Sequence, residues 1–350
     1  MTLIGAAPAT AQTRTIDLTG RPAATISEPV SGFSEGAELA SGKFVFVDGR
    51  EVAIRLADFS ADALRVLSRT GAGPGEYRLP SDAMADGKGG AVVADQMLAR
   101  AVFISGTGEV TGTGLTREEA GMAPIDIRGF DALGRVYRTG RAGAAGRDSL
   151  PIERWDPTTK TVTILAWQQV ERAHAAPMRK GPDGRMSADI VGPPAIFPTR
   201  SEWMPLSDGS VAIVYQSPYR VDVVTPAGKR IRGPAVKYQP IKVTSAYRAW
   251  WSTTQFPAQD DMFPAVLPPV DGLMSQVLAS TDGELWVPRL RDWNDSLPKY
   301  DIFDKTGTLT GRAVLKPHSK VIGFGRGVIY VARQSPDDDF WHLEKYQARP

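Results

Sequence analysis

The chain has 350 residues, with 41 Lys and Arg against 39 Asp and Glu, which gives a net charge of +2. This balance argues against a nucleic-acid-binding protein, because such proteins gather a basic excess on one surface. The chain contains no cysteine, which excludes disulfides, Cys-ligated zinc and thiol catalysis. Its 35 glycines and 27 prolines favour an all-β fold with many tight turns.

The first twelve residues are rich in alanine. Ala9-Thr10-Ala11 forms an A-x-A pattern typical of a signal-peptidase site, although the positive region and full apolar run of a signal peptide are missing. We interpret residues 1–12 as a signal-peptide remnant, which predicts a periplasmic or secreted protein. The alternative is an Ala-rich N-terminus of a cytosolic protein. No later stretch reaches the ~20 apolar residues of a membrane span.

One sequence phrase recurs six times along the chain. A turn with glycine is followed by a short β-rich run, a polar break and a second β-rich run, and the turn glycines are Gly42, Gly87, Gly134, Gly209, Gly283 and Gly327. Their spacings are 45, 47, 75, 74 and 44 residues. Three spacings match a four-stranded propeller blade, and the two long ones add an insertion each. The pattern predicts one six-bladed β-propeller of four-stranded antiparallel blades over residues 13–350, with insertions at 168–200 and 235–274.

Two further elements are predicted outside the regular repeat. Arg14–Leu18 has the pattern of a strand without a blade of its own, and only four residues follow Tyr346. We expect this strand to close the ring by pairing with the last blade, which removes a sheet edge; otherwise residues 13–30 run over the surface. Residues 243–252 predict a short helix capped by Thr244 or Ser245.

The stretch Gly71-Ala-Gly-Pro-Gly-Glu-Tyr-Arg-Leu-Pro80 resembles the G-x-G-P-G-E-F/Y signature of bacterial six-bladed, NHL-like propeller proteins. The resemblance implies the fold and export but says little about function, because the fold hosts lyases, lactonases, hydrolases and binding modules. We interpret the segment as a structural connector in which Glu76 accepts backbone N–H bonds. The motif residues are Gly71, Gly73, Pro74, Gly75 and Glu76. No Lys-Ser/Thr follows them, as a phosphate-binding loop would require.

Catalytic and metal-binding patterns are weak. The histidines, His174, His318 and His342, form no H-x-x-H pattern, and no G-x-S-x-G elbow occurs. Calcium-dependent propeller lactonases use Asn, Asp and Glu around the axis, and Asn294 is the only asparagine here. A divalent cation such as Ca²⁺ held by Asp95, Asp222 or Asp301 is the alternative to a protein without a cofactor. Turn and cross-strand hydrogen bonds are the preferred interpretation of these carboxylates.

Arginines and aromatic residues near strand ends are the candidate ligand-binding residues. They are Arg200, Trp203, Tyr219, Arg220, Trp286 and Arg289. Arginine suits carboxylates, and tryptophan faces suit sugars or peptide side chains. The alternative is that the tryptophans pack between blades while the arginines pair with nearby Asp residues.

These patterns predict an exported module that binds a small anionic molecule, a glycan or a peptide and has no catalytic motif. The first alternative is a metal-assisted propeller lyase or lactonase. The second is a structural scaffold whose insertions hold a partner protein.

Overall fold

The computed structural model describes residues 13–116, 119, 121, 127–140, 149–169, 179–180, 186–187, 196–197, 200–255, 258–271 and 276–348. It contains six sheets arranged around one axis, each built on four antiparallel strands and one of them extended by a fifth strand, which confirms the six-bladed β-propeller. The proposed signal-peptide remnant lies outside the described residues, as does His174. Within the described ranges, no helix has the length and apolar character needed to cross a membrane.

The blades follow one another in chain order, and in each blade the strand named first lies nearest the axis. The first has β3 (Ala37–Glu38), β4 (Phe44–Asp48), β5 (Ala53–Asp58) and β6 (Ala63–Val66); the second has β7 (Pro80–Ala85), β8 (Ala91–Asp95), β9 (Arg100–Ile104) and β10 (Val110–Gly114); the third has β11 (Ile127–Phe130), β12 (Val136–Thr139), β13 (Ser149–Asp156) and β14 (Thr161–Gln169). The fourth has β17 (Glu202–Pro205), β18 (Val211–Gln216), β19 (Tyr219–Val224) and β20 (Arg230–Arg232); the fifth has β23 (Leu278–Ala279), β24 (Leu285–Pro288), β25 (Lys299–Phe303) and β26 (Leu309–Leu315); the sixth has β27 (Ser319–Gly325), β28 (Val328–Gln334), β29 (Trp341–Gln347) and β2 (Ala24–Thr25).

The remaining elements lie before or between blades. β1 (Arg14–Leu18) is a fifth strand of the fifth blade. The insertions contain the hairpin of β15 (Arg179–Lys180) and β16 (Met186–Ser187), the pair β21 (Ile241–Lys242) and β22 (Val266–Leu267), helix α1 (Ser245–Thr254) and a 3-10 turn at Asp260–Met262.

The six glycines of the repeat have the conformation that the hairpin requires. Each joins the first and second strand of its blade with a φ between 72° and 85°. Only glycine adopts this region without a steric cost. At Gly87 a side chain is also excluded, because an added Cβ would lie 2.0 Å from the Asp131 carbonyl oxygen.

The core lies between blades rather than within them. Each pair of neighbouring blades shares one apolar cluster, because a single four-stranded sheet cannot cover its own faces. Phe44 of the first blade stacks on Tyr330 of the sixth, with 4.1 Å between ring centroids. Trp286 of the fifth blade packs against Phe324 of the sixth at 5.0 Å.

Buried tyrosines connect neighbouring blades by hydrogen bonds as well as by packing. At five of the six interfaces, within the described residues, a tyrosine hydroxyl reaches a polar group of the next or preceding blade. The pairs are Tyr77 with the Ile54 amide, Tyr137 with the Gly209 carbonyl, Tyr219 with Asp301, Tyr300 with the Val321 amide and Tyr330 with Glu38. A buried hydroxyl without a partner would destabilise the fold, so these bonds fix how the blades are oriented.

The ring is closed by the N-terminal segment, but not by the residues that the sequence predicts. β1 pairs in parallel with β26 of the fifth blade, so its predicted pairing with the last blade is wrong. β2 pairs with β29 and supplies the missing outer strand of the sixth blade. The Ile26 amide and the Val30 amide continue this contact by donating to Leu343 and Trp341. Five residues separate β1 from β2, so one segment covers the outer edges of two adjacent blades.

Replacement of Ile26 tests the closure. Its side chain is fully buried between the first and sixth blades. We expect Ile26→Ala to lower the free energy of unfolding by about 2–4 kcal/mol, because it leaves a cavity at the closing interface. Urea denaturation measures this loss. Ile164→Ala, at a side chain that is 51% exposed, should cost less than about 0.5 kcal/mol; equal effects of the two would contradict the closure.

Candidate functional site

The six innermost strands enclose a channel along the axis. They all run in the same direction, and the successive strands β27, β3, β7, β11, β17 and β23 contact one another in that order along the ring. The channel contains a cavity of about 490 Å³. Its apolar lining comes from Met84, Phe130, Met204, Leu278 and Phe324.

Polar and charged residues gather where the innermost strands begin. Glu35 precedes β3, Asp82 lies in β7, Arg128 in β11 and Lys320 in β27, while Gln276 precedes β23. We call these five residues the channel mouth. Because the strands are parallel around the axis, residues at their starts meet at one end of the channel although they come from five different blades.

Glu35 and Asp82 form a carboxyl pair at the mouth. Their side chains share a hydrogen bond. The Lys320 ammonium lies 3.0 Å from Glu35 Oε1, with 24% and 15% of the two side chains exposed. Burial, the negative charge of Glu35 and the shared hydrogen bond raise the pKa of Asp82 to about 6, against the smaller opposing effects of Lys320 and Arg128.

Arg128 is the basic residue of the mouth whose guanidinium N–H groups are mostly without a hydrogen-bond partner among the described residues. It donates to the Gln276 side-chain oxygen at 3.4 Å. Within the described residues it makes no other hydrogen bond or ion pair at 4 Å or less, although its charge acts on Asp82. A guanidinium carries five N–H donors, so most of them are available to a ligand in the channel.

Both long insertions leave the propeller at the end where the mouth lies. They connect β14 to β17 and β20 to β23, so each leads from an outer strand back to the start of an innermost strand. Ile196 and Phe197 of the first insertion pack with Tyr247 and Trp251 of α1 in the second. Thr244 caps α1 by accepting the Tyr247 amide at 3.2 Å, as predicted. Gln276, where the second insertion returns to the blade, contacts Arg128.

The three aromatic residues predicted to bind a ligand lie between blades. Trp203, Tyr219 and Trp286 are 1%, 1% and 2% exposed, respectively. The indole of Trp203 donates to Thr139 at 3.3 Å, and the Tyr219 hydroxyl donates to Asp301 at 2.9 Å. Tyr219 is also in edge contact with Phe303. The faces of these aromatic rings pack between blades. For the two tryptophans this is the alternative that the sequence analysis gives.

The three predicted arginines pair with carboxylates of their own surroundings. Arg200 bonds Glu202 at 2.6 Å, and Arg220 bonds Asp222 at 3.0 Å. Arg289 bonds Asp301 at 2.7 Å and lies over the ring of Tyr219, so these two predicted residues do come together. None of the six predicted residues lines the described part of the channel cavity. Ligand binding by them stays a prediction.

The carboxylates considered for a metal do not share a site. Asp95 accepts the amides of Arg78 and Leu79, while Asp222 and Asp301 each pair with two arginines. In the part of the chain that the structure describes, no three His, Asp or Glu side chains form a group suited to a metal ion. A bound divalent cation stays the alternative to a protein without a cofactor.

The glycine-rich connector is held by Glu76. One carboxylate oxygen accepts the Gly73 amide at 2.8 Å, and the other accepts Arg69 Nε at 2.6 Å. A Cβ on Gly71 would lie 2.1 Å from the same carboxylate, so a larger residue there would displace the Glu76 side chain from these bonds. These bonds lower the pKa of Glu76. The segment links the first and second blades and takes no part in the mouth.

Comparisons with known proteins find only distant structural similarities. No family model matches the chain, and no curated protein matches it in sequence. Among solved structures, a gluconolactonase from Xanthomonas campestris is 11% identical, with a TM-score of 0.43 and 92% of each chain covered. A DUF4221 member from Bacteroides vulgatus is 10% identical, with a TM-score of 0.48, over 94% of this chain and 95% of that one. Regucalcin from Agrobacterium tumefaciens, a calcium-binding protein, is 13% identical with a TM-score of 0.43, over 97% and 98%. The NHL-like resemblance stays a prediction.

The channel mouth is not among the sites predicted from the sequence, although the repeat contains a signal for it. A charged or amide side chain stands five to seven positions before every turn glycine: Glu35, Asp82, Arg128, Glu202, Gln276 and Lys320. These positions fall at the start of each innermost strand. Aligning the six units on their glycines would have placed all six side chains near one end of the axis.

Asp82→Asn tests the carboxyl pair. The pKa of Asp82 is near 6 in the folded state and 3.8 in the unfolded state, so its ionisation disfavours folding. The free energy of unfolding is therefore unaffected by this carboxyl group below pH 4 and falls as the pH rises through 6. Asparagine cannot ionise, so we expect the variant to be more stable than the wild type by roughly 2 kcal/mol at pH 7.5 and equal to it at pH 4. Thermal unfolding across this range measures it, with the exposed Asp337→Asn as control. A pH dependence identical to that of the wild type would contradict the shared proton.

Arg289→Ala tests whether this predicted ligand residue supports the fold. Its partner Asp301 has a side chain only 1% exposed, so the truncation weakens the neutralisation of a buried carboxylate. We expect a loss of about 2–3 kcal/mol in unfolding free energy. Arg69→Ala, whose side chain is 84% exposed, should cost less than about 1 kcal/mol. An unchanged melting temperature for Arg289→Ala would show that this pair has no structural role.

Proposed function

We propose that the protein is an exported small-molecule-binding propeller that holds an amphipathic anion in its central channel. The negative group of the ligand lies at the mouth beside Arg128, and its apolar part occupies the cavity lined by Met84, Phe130 and Phe324. The observation that carries the proposal is the spare donor capacity of Arg128 at the entrance of an apolar cavity. Export and binding without catalysis remain parts of the proposal rather than findings.

The N–H donors of Arg128 that Gln276 does not use favour an anion over a cation at the mouth. Lys320 already neutralises Glu35, which leaves Arg128 facing Asp82 alone. A guanidinium binds carboxylate, sulfonate or phosphate groups through two parallel hydrogen bonds. The partly buried position strengthens such a pair relative to one in bulk water.

The shape and lining of the channel favour a ligand with an apolar body. A cavity of about 490 Å³ lies within the size range of sites for small organic molecules. Aromatic and Met side chains surround it, and the Met side chains can adjust to the outline of a ligand. An anion without an apolar part would leave this surface unused.

The metal-assisted lyase or lactonase is the weaker candidate. It needs carboxylate oxygens free to bind a cation, whereas the Lys320 ammonium lies 3.0 Å from Glu35 Oε1. Like charge from Lys320 and Arg128 would oppose a divalent ion at the carboxyl pair. The observation that still favours chemistry is the ability of this pair to hold a proton near neutral pH.

The scaffold candidate depends on the surface of the second insertion. Its aromatic side chains Tyr247, Trp251 and Phe263 are buried in a cluster that the two insertions share. They therefore stabilise the insertions themselves rather than form an exposed apolar surface for a partner.

Two fluorescent probes test the proposal. 8-Anilinonaphthalene-1-sulfonate is an amphipathic anion, and N-phenyl-1-naphthylamine has the same aromatic skeleton without the sulfonate. We expect Arg128→Gln to weaken binding of the sulfonate by about 10- to 100-fold, because the charge-assisted bonds are lost. Binding of the neutral amine should change less than about threefold. Fluorescence titration measures both affinities.

The matched control is Arg69→Gln, at an exposed arginine of the connector outside the channel. It removes the same charge and should leave both affinities unchanged. Equal weakening by both variants would assign the effect to overall charge. Failure of the wild type to bind the sulfonate would contradict the proposal.

A further inference from the structure

Four ionisable side chains meet at the channel mouth, two acidic and two basic. Glu35, Asp82, Arg128 and Lys320 come from the first, second, third and sixth blades. When all four are ionised, their charges sum to zero. When the carboxyl pair takes up one proton, the same four groups carry a charge of +1. The charge that a ligand meets at the mouth therefore depends on this single proton.

Charged side chains from three neighbouring elements shift the pKa of Asp82. Glu35 faces it from the segment before β3, Lys320 from β27 and Arg128 from β11. These three are the charged residues with the largest effects on the pKa of this carboxyl group.

The other carboxylates of neighbouring strands are occupied. Asp48, at the end of β4, accepts the amides of Ser31 and Arg50. Asp95, at the end of β8, accepts the amides of Arg78, Leu79 and Met97. Backbone amides at the ends of their strands therefore hold both carboxylates away from Asp82, and Glu35 is its acidic partner.

We propose that proton uptake by the Glu35–Asp82 pair controls the affinity of the mouth for anions, so that the protein binds its ligand under acidic conditions and releases it as the pH rises. This inference rests on the proposed function, because it assumes that the ligand is an anion beside Arg128. The protonated pair leaves Arg128 without an opposing carboxylate. The ionised pair places a second negative charge where the anion binds.

The direction of the effect follows from the titration of Asp82. Its pKa of about 6 places the change between pH 5 and pH 7.5. Above pH 6 both oxygens repel the ligand. One unit charge at contact distance in a partly buried site changes affinity by about tenfold or more.

The experiment is a pH series of probe binding. 8-Anilinonaphthalene-1-sulfonate stays ionised throughout the range, so any pH dependence belongs to the protein. We expect the wild type to bind it roughly tenfold more tightly at pH 5 than at pH 7.5, with a midpoint near pH 6. N-phenyl-1-naphthylamine should show no such trend. Asp82→Asn should bind the sulfonate tightly at both pH values, and the exposed Asp337→Asn should behave like the wild type.

Glu35→Gln provides a second and independent measurement. Removal of the negative charge beside Asp82 makes its ionisation easier, so the midpoint of the binding curve should move to lower pH. If Asp82→Asn does not fold, this shift carries the test. A midpoint that stays near pH 6 in Glu35→Gln would overturn the inference.

The outcomes separate the two proposals. Sulfonate binding that depends on Arg128 but is the same at pH 5 and pH 7.5 would overturn proton control and leave the proposed function intact. Binding that ignores Arg128→Gln at every pH would overturn the proposed function itself. A pH trend retained in Asp82→Asn would assign the control to another group and overturn the inference.

Discussion

The structure depends on one packing constraint, which is that each small sheet is buried by its two neighbours. A four-stranded sheet such as β17–β20 has apolar residues on both faces, and Val211, Ile213 and Val214 are completely shielded from solvent. Only another sheet on each side can provide that burial, and six sheets around an axis satisfy the requirement for all of them at once. The apolar clusters consequently lie at the six interfaces, and closing the ring is part of forming the core.

The same constraint explains why most of the large aromatic residues are structural. Trp203, Tyr219 and Trp286 fill interfaces where the diverging sheets leave space. The polar atoms of two of them limit how they are placed, since the Tyr219 hydroxyl must reach Asp301 and the Trp203 indole must reach Thr139. Arg289 joins the first of these contacts by bonding the same carboxylate. Buried polar atoms that find partners across an interface specify one relative orientation of the blades.

The channel mouth is a consequence of ring closure that no single blade contains. Every innermost strand starts at the same end of the axis, so side chains from all around the ring converge there. The apolar side chains that follow Asp82 and Arg128 along their strands, such as Met84 and Phe130, then line the deeper channel. A polar entrance above an apolar cavity is therefore built from alternate positions of short strands. The two insertions leave the ring at this same end and meet through Phe197 and Trp251.

The number of blades, the positions of the turns and the short helix could be predicted from the amino-acid sequence, because these are local patterns. A glycine at positive φ and an adjacent apolar run are requirements of one hairpin, readable within a dozen residues. Which strands cover the blade edges, and which polar side chains meet, depends instead on contacts between distant parts of the chain. The N-terminal segment is long enough to cover the outer edges of two blades, so β1 pairs with the fifth blade while β2 pairs with the sixth. Glu35, Asp82, Arg128 and Lys320 are far apart along the chain, and their proximity, like the raised pKa of Asp82, exists only once the six sheets have closed around the axis.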